Sequence, residues 1–158
     1  MAPGPGETIL FFPIDDQQQR NAPCLMRQKL RLSEEPICDL LVFFANESKE
    51  IVLCLVELKG REIAEAVKQI ETTYHALNTL ARSAISPRLW ERVHLKGYIL
   101  MHGSMPKKEV KKFKDPLEDL FGAENYAIER NEDLGDFLRQ TQDQKQQKKD
   151  KPARKQKR

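Results

Sequence analysis

Residues 51–58, IVLCLVEL, constrain the fold most. The first six are apolar without interruption, so neither face of a strand built from them can lie against water. Such a strand belongs inside a sheet that is covered on both sides. Gly60 breaks the run, and a helical pattern follows. Ile63, Val67, Ile70, Tyr74, Leu77 and Ala81 recur at three- and four-residue intervals, one apolar stripe over about residues 61–82. Glu62, Glu65, Lys68, Glu71 and Arg82 fall on the other side. "SAISPRLW" then reads as a loop, because Pro87 bars a continued helix. Residues 92–102 alternate as a strand, with Val93, Leu95, Ile99 and Met101 on one face and His94, Lys96, Tyr98 and His102 on the other. Strand, long helix and strand form the unit that lets two strands lie parallel with the helix across one face.

Upstream, "ICDLLVFFA" (37–45) and "EIVLCLVEL" (50–58) are β-rich runs joined by "NESK", which predicts an antiparallel hairpin. After a flexible lead-in, MAPGPG, "TILFF" (8–12) reads as a short strand ended by Pro13, and "DDQQQRNAP" as a polar loop or one helical turn. "CLMRQKLRL" (24–32) reads as a strand with Arg27, Lys29 and Arg31 on one side and Leu30 and Leu32 on the other; a short helix fits the same residues. Downstream, residues 105–121 hold one or two short helices, "NYAIER" (125–130) a late strand and "NEDLGDFLRQ" (131–140) a last short helix. The fold class is α/β, a mixed sheet with a crossover helix, in one domain over residues 1–140.

Charge is unevenly spread. Residues 141–158 hold eight Lys and Arg against two Asp, a net of +6; the chain total is +3, so residues 1–140 carry −3. That end is Gln, Lys, Asp and Arg with little to bury, so it reads as a disordered basic tail. Cys24, Cys38 and Cys54 form no CxxC pair and sit in apolar segments, as small core residues do. An odd cysteine count and no signal peptide point to a reducing, cytoplasmic setting. No apolar run is long enough for a bilayer, so no membrane association is expected.

Residues i and i+2 of a strand share a face, so Glu57 and Lys59 project together at the strand end. Asp39 begins the partner strand. If Asn46 pairs with Glu50, Asp39 stands opposite Glu57; if Ala45 pairs with Glu50, Asp39 stands opposite Val56 and faces away. The turn residues leave both registers open. In the first, two carboxylates converge beside an ammonium, an arrangement that a cation between them would favour. A hard divalent ion such as magnesium suits oxygen ligands of this kind.

Asp39, seventeen residues, then Glu57-Leu58-Lys59 resembles the signature of the PD-(D/E)XK nuclease superfamily, with small stand-alone bacterial members among those it is similar to. The likeness covers roughly residues 24–102. It implies a restriction-endonuclease-like fold and a metal-dependent phosphodiesterase, a nuclease acting on DNA or RNA with Mg2+ or Mn2+. It further implies that Asp39, Glu57 and the Leu58 carbonyl bind the metal. Lys59 would orient the attacking water or stabilise charge on the phosphate, and Gln69 would position the water or a phosphate. A homodimer is a further implication. The sequence departs from the signature in carrying Cys38 where a proline is usual, with Pro36 displaced, and in lacking an evident first helix; Glu34 and Glu35 are the nearest substitutes for a carboxylate from that helix.

Plainer readings stand beside these. Glu57-x-Lys59 alone is most often a solvated strand end, Asp39 a strand-start residue and Gln69 a helix-surface residue. His75, His94 and His102 lack the spacing of a zinc site and read as surface or structural residues. The resemblance also implies that Lys96 could reach a substrate phosphate, since the fourth strand often borders the site in that superfamily. A different class of function, a non-catalytic nucleic-acid-binding or scaffold protein, keeps the fold and leaves the site idle.

Overall fold

The computed structural model describes residues 2–15, 24–59, 62–103, 107–130 and 133–140. The tail from residue 141, the break at Gly60 and the polar loop after Asp15 lie largely or wholly outside these residues.

A five-stranded mixed sheet forms the centre, ordered β1(Thr8–Pro13)-β2(Leu40–Ala45)-β3(Ile51–Lys59)-β4(Val93–Met101)-β5(Tyr126–Glu129). β1, β2 and β3 are antiparallel neighbours, and β3, β4 and β5 run parallel. The crossover between β3 and β4 is α2(Ile63–Ala84), the length that the apolar stripe predicts. β5 is the late strand expected at "NYAIER", reached through α4(Lys107–Lys112) and α5(Lys114–Phe121). α5 packs so closely on β4 that a Cβ at Gly97 would lie 2.6 Å from the Phe121 ring, which is why that position has no side chain.

Two cores lie on the two faces of the sheet. On one, Leu41, Leu55, Ile99 and Met101 pack against Ile63, Ala66, Val67 and Ile70 of α2, with Leu117 and Phe121 of α5. On the other, Val42, Phe44, Cys54, Val56 and Tyr98 pack against Phe137 and Leu138 of α6(Leu134–Arg139). β3 is therefore buried on both faces, as its composition requires.

Two expectations are corrected. Residues 24–32 are not a strand: Leu25–Leu30 form the short helix α1, ended by Arg31 in the left-handed region at φ 55°. Leu, Met, Arg, Gln and Lys are all good helix formers with no β-branched residue among them, and Met26 and Leu30, four apart, both face the core. The loop expected at Pro87 contains one short helix, α3(Pro87–Trp90), with the proline in its first turn, where a missing N–H costs nothing. Among the described residues no helix is long and apolar enough to cross a membrane.

β1 is an edge strand. Ile14 N–H donates to the Asp39 carbonyl at 2.9 Å, so even-numbered residues of β1 bond to β2 and odd-numbered ones face the free edge. Pro13 falls on that free edge, where its lack of an N–H breaks no ladder.

Candidate functional site

The register of the β2–β3 hairpin decides the site. Leu40 pairs with Val56 and Ala45 with Ile51, so the first of the two open registers is the one formed. Asn46 holds it. Its backbone N–H donates to the Glu50 carbonyl at 3.3 Å, its Oδ1 accepts from the Glu50 N–H at 3.1 Å, and its Nδ2 donates to Glu50 Oε2 at 2.6 Å. Lys49 closes the three-residue loop in the left-handed region at φ 60°.

One step beyond Leu40 and Val56, Asp39 is tied to β3 twice, once to Glu57 and once to Leu58. Asp39 N–H donates to Glu57 Oε2 at 3.1 Å, and Leu58 N–H donates to Asp39 Oδ2 at 2.8 Å. Glu57 lies on the α2 face of the sheet, by parity with Leu55, and Asp39, at the bend just before β2, is bonded to it. Lys59 shares that face. Its Nζ stands 3.3 Å from Glu57 Oε1 and 3.3 Å from Glu65 Oε2, on the first turn of α2.

Glu57 is 1% exposed. Burial raises the pKa of its carboxyl first, and the Asp39 carboxylate raises it further; Lys59 and the Asp39 N–H offset part of this, leaving it at about 7. Burial also acts on Lys59, in the lowering direction, but its contacts with Glu65 and Glu57 outweigh that and hold the ammonium above the usual lysine range. Glu57 Oε1 accepts no hydrogen bond, although it forms the ion pair with Lys59. The ammonium of Lys59, 3.3 Å away, is the charge that faces this buried oxygen.

That Glu57 oxygen and the neighbouring Asp39 carboxylate, whose charge raises the Glu57 pKa, are oxygen donors of the kind that a hard divalent cation takes. Among the described residues no group of three or more His, Cys, Asp and Glu could hold a metal ion. A cation here would therefore take its third protein oxygen from the backbone.

Gln69 is neither on the helix surface nor extended toward solvent. It is buried on the inner face of α2, with Nε2 donating to the Ile37 carbonyl at 2.9 Å and Oε1 without a partner. Lys96 is not on the site face. It is buried on the opposite one, where Nζ donates to the carbonyls of Phe137 at 2.7 Å and Gln140 at 2.7 Å at the end of α6. The same parity puts His94 and His102 on the face away from Glu57. Glu35 turns its carboxylate onto the Ser33 N–H at 2.7 Å. Cys38 and Cys54 are buried free thiols, and burial pushes Cys38 to about 12.

Two residues of this neighbourhood carry no obvious mark in the sequence. Glu65 sits on the polar side of the stripe, and only the fold brings it to Lys59. Thr73 Oγ1 accepts from the Cys38 N–H at 3.0 Å. A signal for Thr73 does exist: it lies on the apolar stripe, where a polar residue needs a partner. Comparison of the chain with protein-family models, curated proteins and solved structures finds no match.

Proposed function

We propose that this chain is a metal-dependent phosphodiesterase, a nuclease with a restriction-endonuclease-like fold of the PD-(D/E)XK kind. The single observation that carries the reading is the Asp39–Glu57 junction, with its buried and unsatisfied Glu57 oxygen beside Lys59. The strand order supports the fold: an antiparallel hairpin feeds a crossover helix and a parallel strand.

Asp39, Glu57 and the Leu58 carbonyl would hold Mg2+ or Mn2+, which when bound polarises a phosphodiester and lowers the pKa of its water. Lys59 supplies a fixed positive charge at the mouth of the site and stabilises the negative charge that builds on the phosphate. Glu65 holds that ammonium from the helix side, so Lys59 keeps its place when Glu57 turns to a cation. Gln69 acts through the strand: it fixes Ile37, two residues before Asp39. The substrate is DNA or RNA, and the eight Lys and Arg of residues 141–158 give the acidic body its attraction for phosphates.

The test is cleavage of single- and double-stranded DNA and RNA with Mg2+ or Mn2+. Chelator stops it. Asp39→Ala and Glu57→Ala abolish it, and Lys59→Ala lowers turnover on the order of 10²-fold with metal binding largely kept. No cleavage of any of the four substrates would sink the reading.

One observation favours a second reading, binding without cleavage. Lys59 already lies between Glu57 and Glu65 and supplies the positive charge that a metal would. Nucleic-acid binding that persists in chelator and in Glu57→Ala, with no cleavage, would select it.

A further inference from the structure

The β2–β3 ladder stops one hydrogen-bonded pair short of its register. Asn46 bonds to Glu50 across the strands, and bonded pairs recur at every second residue, so Leu40 with Val56 is the last of them. The next would be Cys38 with Leu58, in which each N–H donates to the other's carbonyl. Both donors go elsewhere. Leu58 N–H donates to Asp39 Oδ2 at 2.8 Å, and Cys38 N–H donates to Thr73 Oγ1 at 3.0 Å. The Leu58 carbonyl is left without the donor its register assigns. It does not turn to β4, because Lys59, the next residue, already accepts there from His102 N–H at 2.7 Å, and successive carbonyls of a strand point opposite ways. The β2–β3 pairing ends at Leu40 and Val56, so the ladder does not cover that carbonyl.

Thr73 is built for this. It is 1% exposed on the buried side of α2. Its hydroxyl donates to the Gln69 carbonyl at 2.7 Å, which fixes the proton and turns a lone pair to Cys38. One turn earlier, Gln69 Nε2 holds the Ile37 carbonyl. Two polar side chains of the helix thus draw residues 37 and 38 away from β3 at the position opposite Leu58.

We propose that Thr73 is a positioning residue that keeps the Leu58 carbonyl open as the third oxygen of the cation site formed with Asp39 and Glu57. The inference rests on the metal-site reading and deepens it. Without the Thr73 acceptor, the Cys38 N–H has one partner within the register, the Leu58 carbonyl, and pairing there removes that oxygen from a cation.

The experiment uses the full chain and Mn2+ as probe. Mn2+ affinity is measured by titration, and the pairing is read as the NMR coupling across a hydrogen bond from Cys38 nitrogen to the Leu58 carbonyl carbon. In Thr73→Val the coupling appears and Mn2+ affinity falls about tenfold or more, the range for a residue that orients a metal ligand. Thr73→Ser, which keeps the acceptor, retains wild-type affinity and shows no coupling. A purely structural hydroxyl would lower the melting temperature in Thr73→Val and leave affinity unchanged, and that result overturns the proposal while the metal site stands. No Mn2+ binding by the wild type overturns the metal-site reading and this inference together. If Thr73→Val does not fold, the wild type decides: the Leu58 carbonyl carbon shift moves on Mg2+ titration, and a shift that stays fixed while Mg2+ binds overturns the proposal.

Discussion

Replacing Glu57 by glutamine should make the metal-free protein more stable at alkaline pH. The carboxyl ionises at about 7 in the folded chain against an ordinary value of 4.5. A raised carboxyl binds its proton more tightly when folded, so stability is greatest below about 4.5 and is lost as pH rises to about 7. At about 1.4 kcal/mol per pKa unit, that gap amounts to about 3 kcal/mol, or very roughly 10 °C in melting temperature for a chain of this size. The other shifted acids fall in other windows. Glu7, lowered to about 2 by its Arg139 hydrogen bonds, adds stability that is lost only as pH falls below 4.5 toward 2. A glutamine side chain in place of Glu57 would keep an oxygen for the Asp39 N–H and would bury no charge. Its amide would face Lys59, which offsets part of the gain, so about 2 kcal/mol at pH 8 is the expected net. Urea denaturation in chelator between about pH 5 and pH 8 measures it. The wild type should weaken across that range and Glu57→Gln should stay nearly flat. Equal wild-type stability at both ends, or parallel slopes in the two proteins, would refute the account of Glu57 as a destabilising buried carboxylate.

Lys49 holds a left-handed conformation at φ 60° in the hairpin loop. Lys49→Gly should remove a strain of about 1 kcal/mol, less the entropy that glycine adds to the unfolded chain, for a net gain of about 0.5 kcal/mol by denaturation. An unchanged or lower stability would count against that strain. Lys96→Met should cost about 2–3 kcal/mol, because the carbonyls at the end of α6 lose a buried charged donor. Amide exchange should then quicken in α6 and stay as in wild type in α2; uniform quickening would mean that Lys96 does not act through α6. Removing residues 141–158 should weaken binding to duplex DNA and flatten its salt dependence by about 0.9 in log–log slope for each phosphate the shortened chain leaves unneutralised. Unchanged affinity at low salt would show that those residues do not bind it.

The strand–helix–strand unit was legible because its three patterns are long and unambiguous: six apolar residues in a row, a long apolar stripe and a clean alternation. What failed did so where a short pattern had two periods. In residues 24–32, basic and apolar residues fit period two as well as a helical turn, and helix propensity together with the 26–30 spacing decided for the helix. Lys96 was placed on a polar face because alternation alone does not say what covers that face; α6, some forty residues later, covers it and turns the lysine into a buried cap. The site itself hung on one residue of register. The loop carried no glycine at its left-handed position, so its type was hidden, yet Asn46 and Glu50 bracket it and bond to each other through both backbone and side chains. Thr73 marks the deeper limit. It stands three residues after Ile70 and four before Leu77, a spacing from which burial, and with it the need for a partner, could be read. Which partner depends on where the strand before Asp39 leaves β3, a tertiary fact. Yet that partner is the N–H that would otherwise cover the Leu58 carbonyl, so the oxygen set at the strand end is shaped from the helix behind it as much as from Asp39 and Glu57.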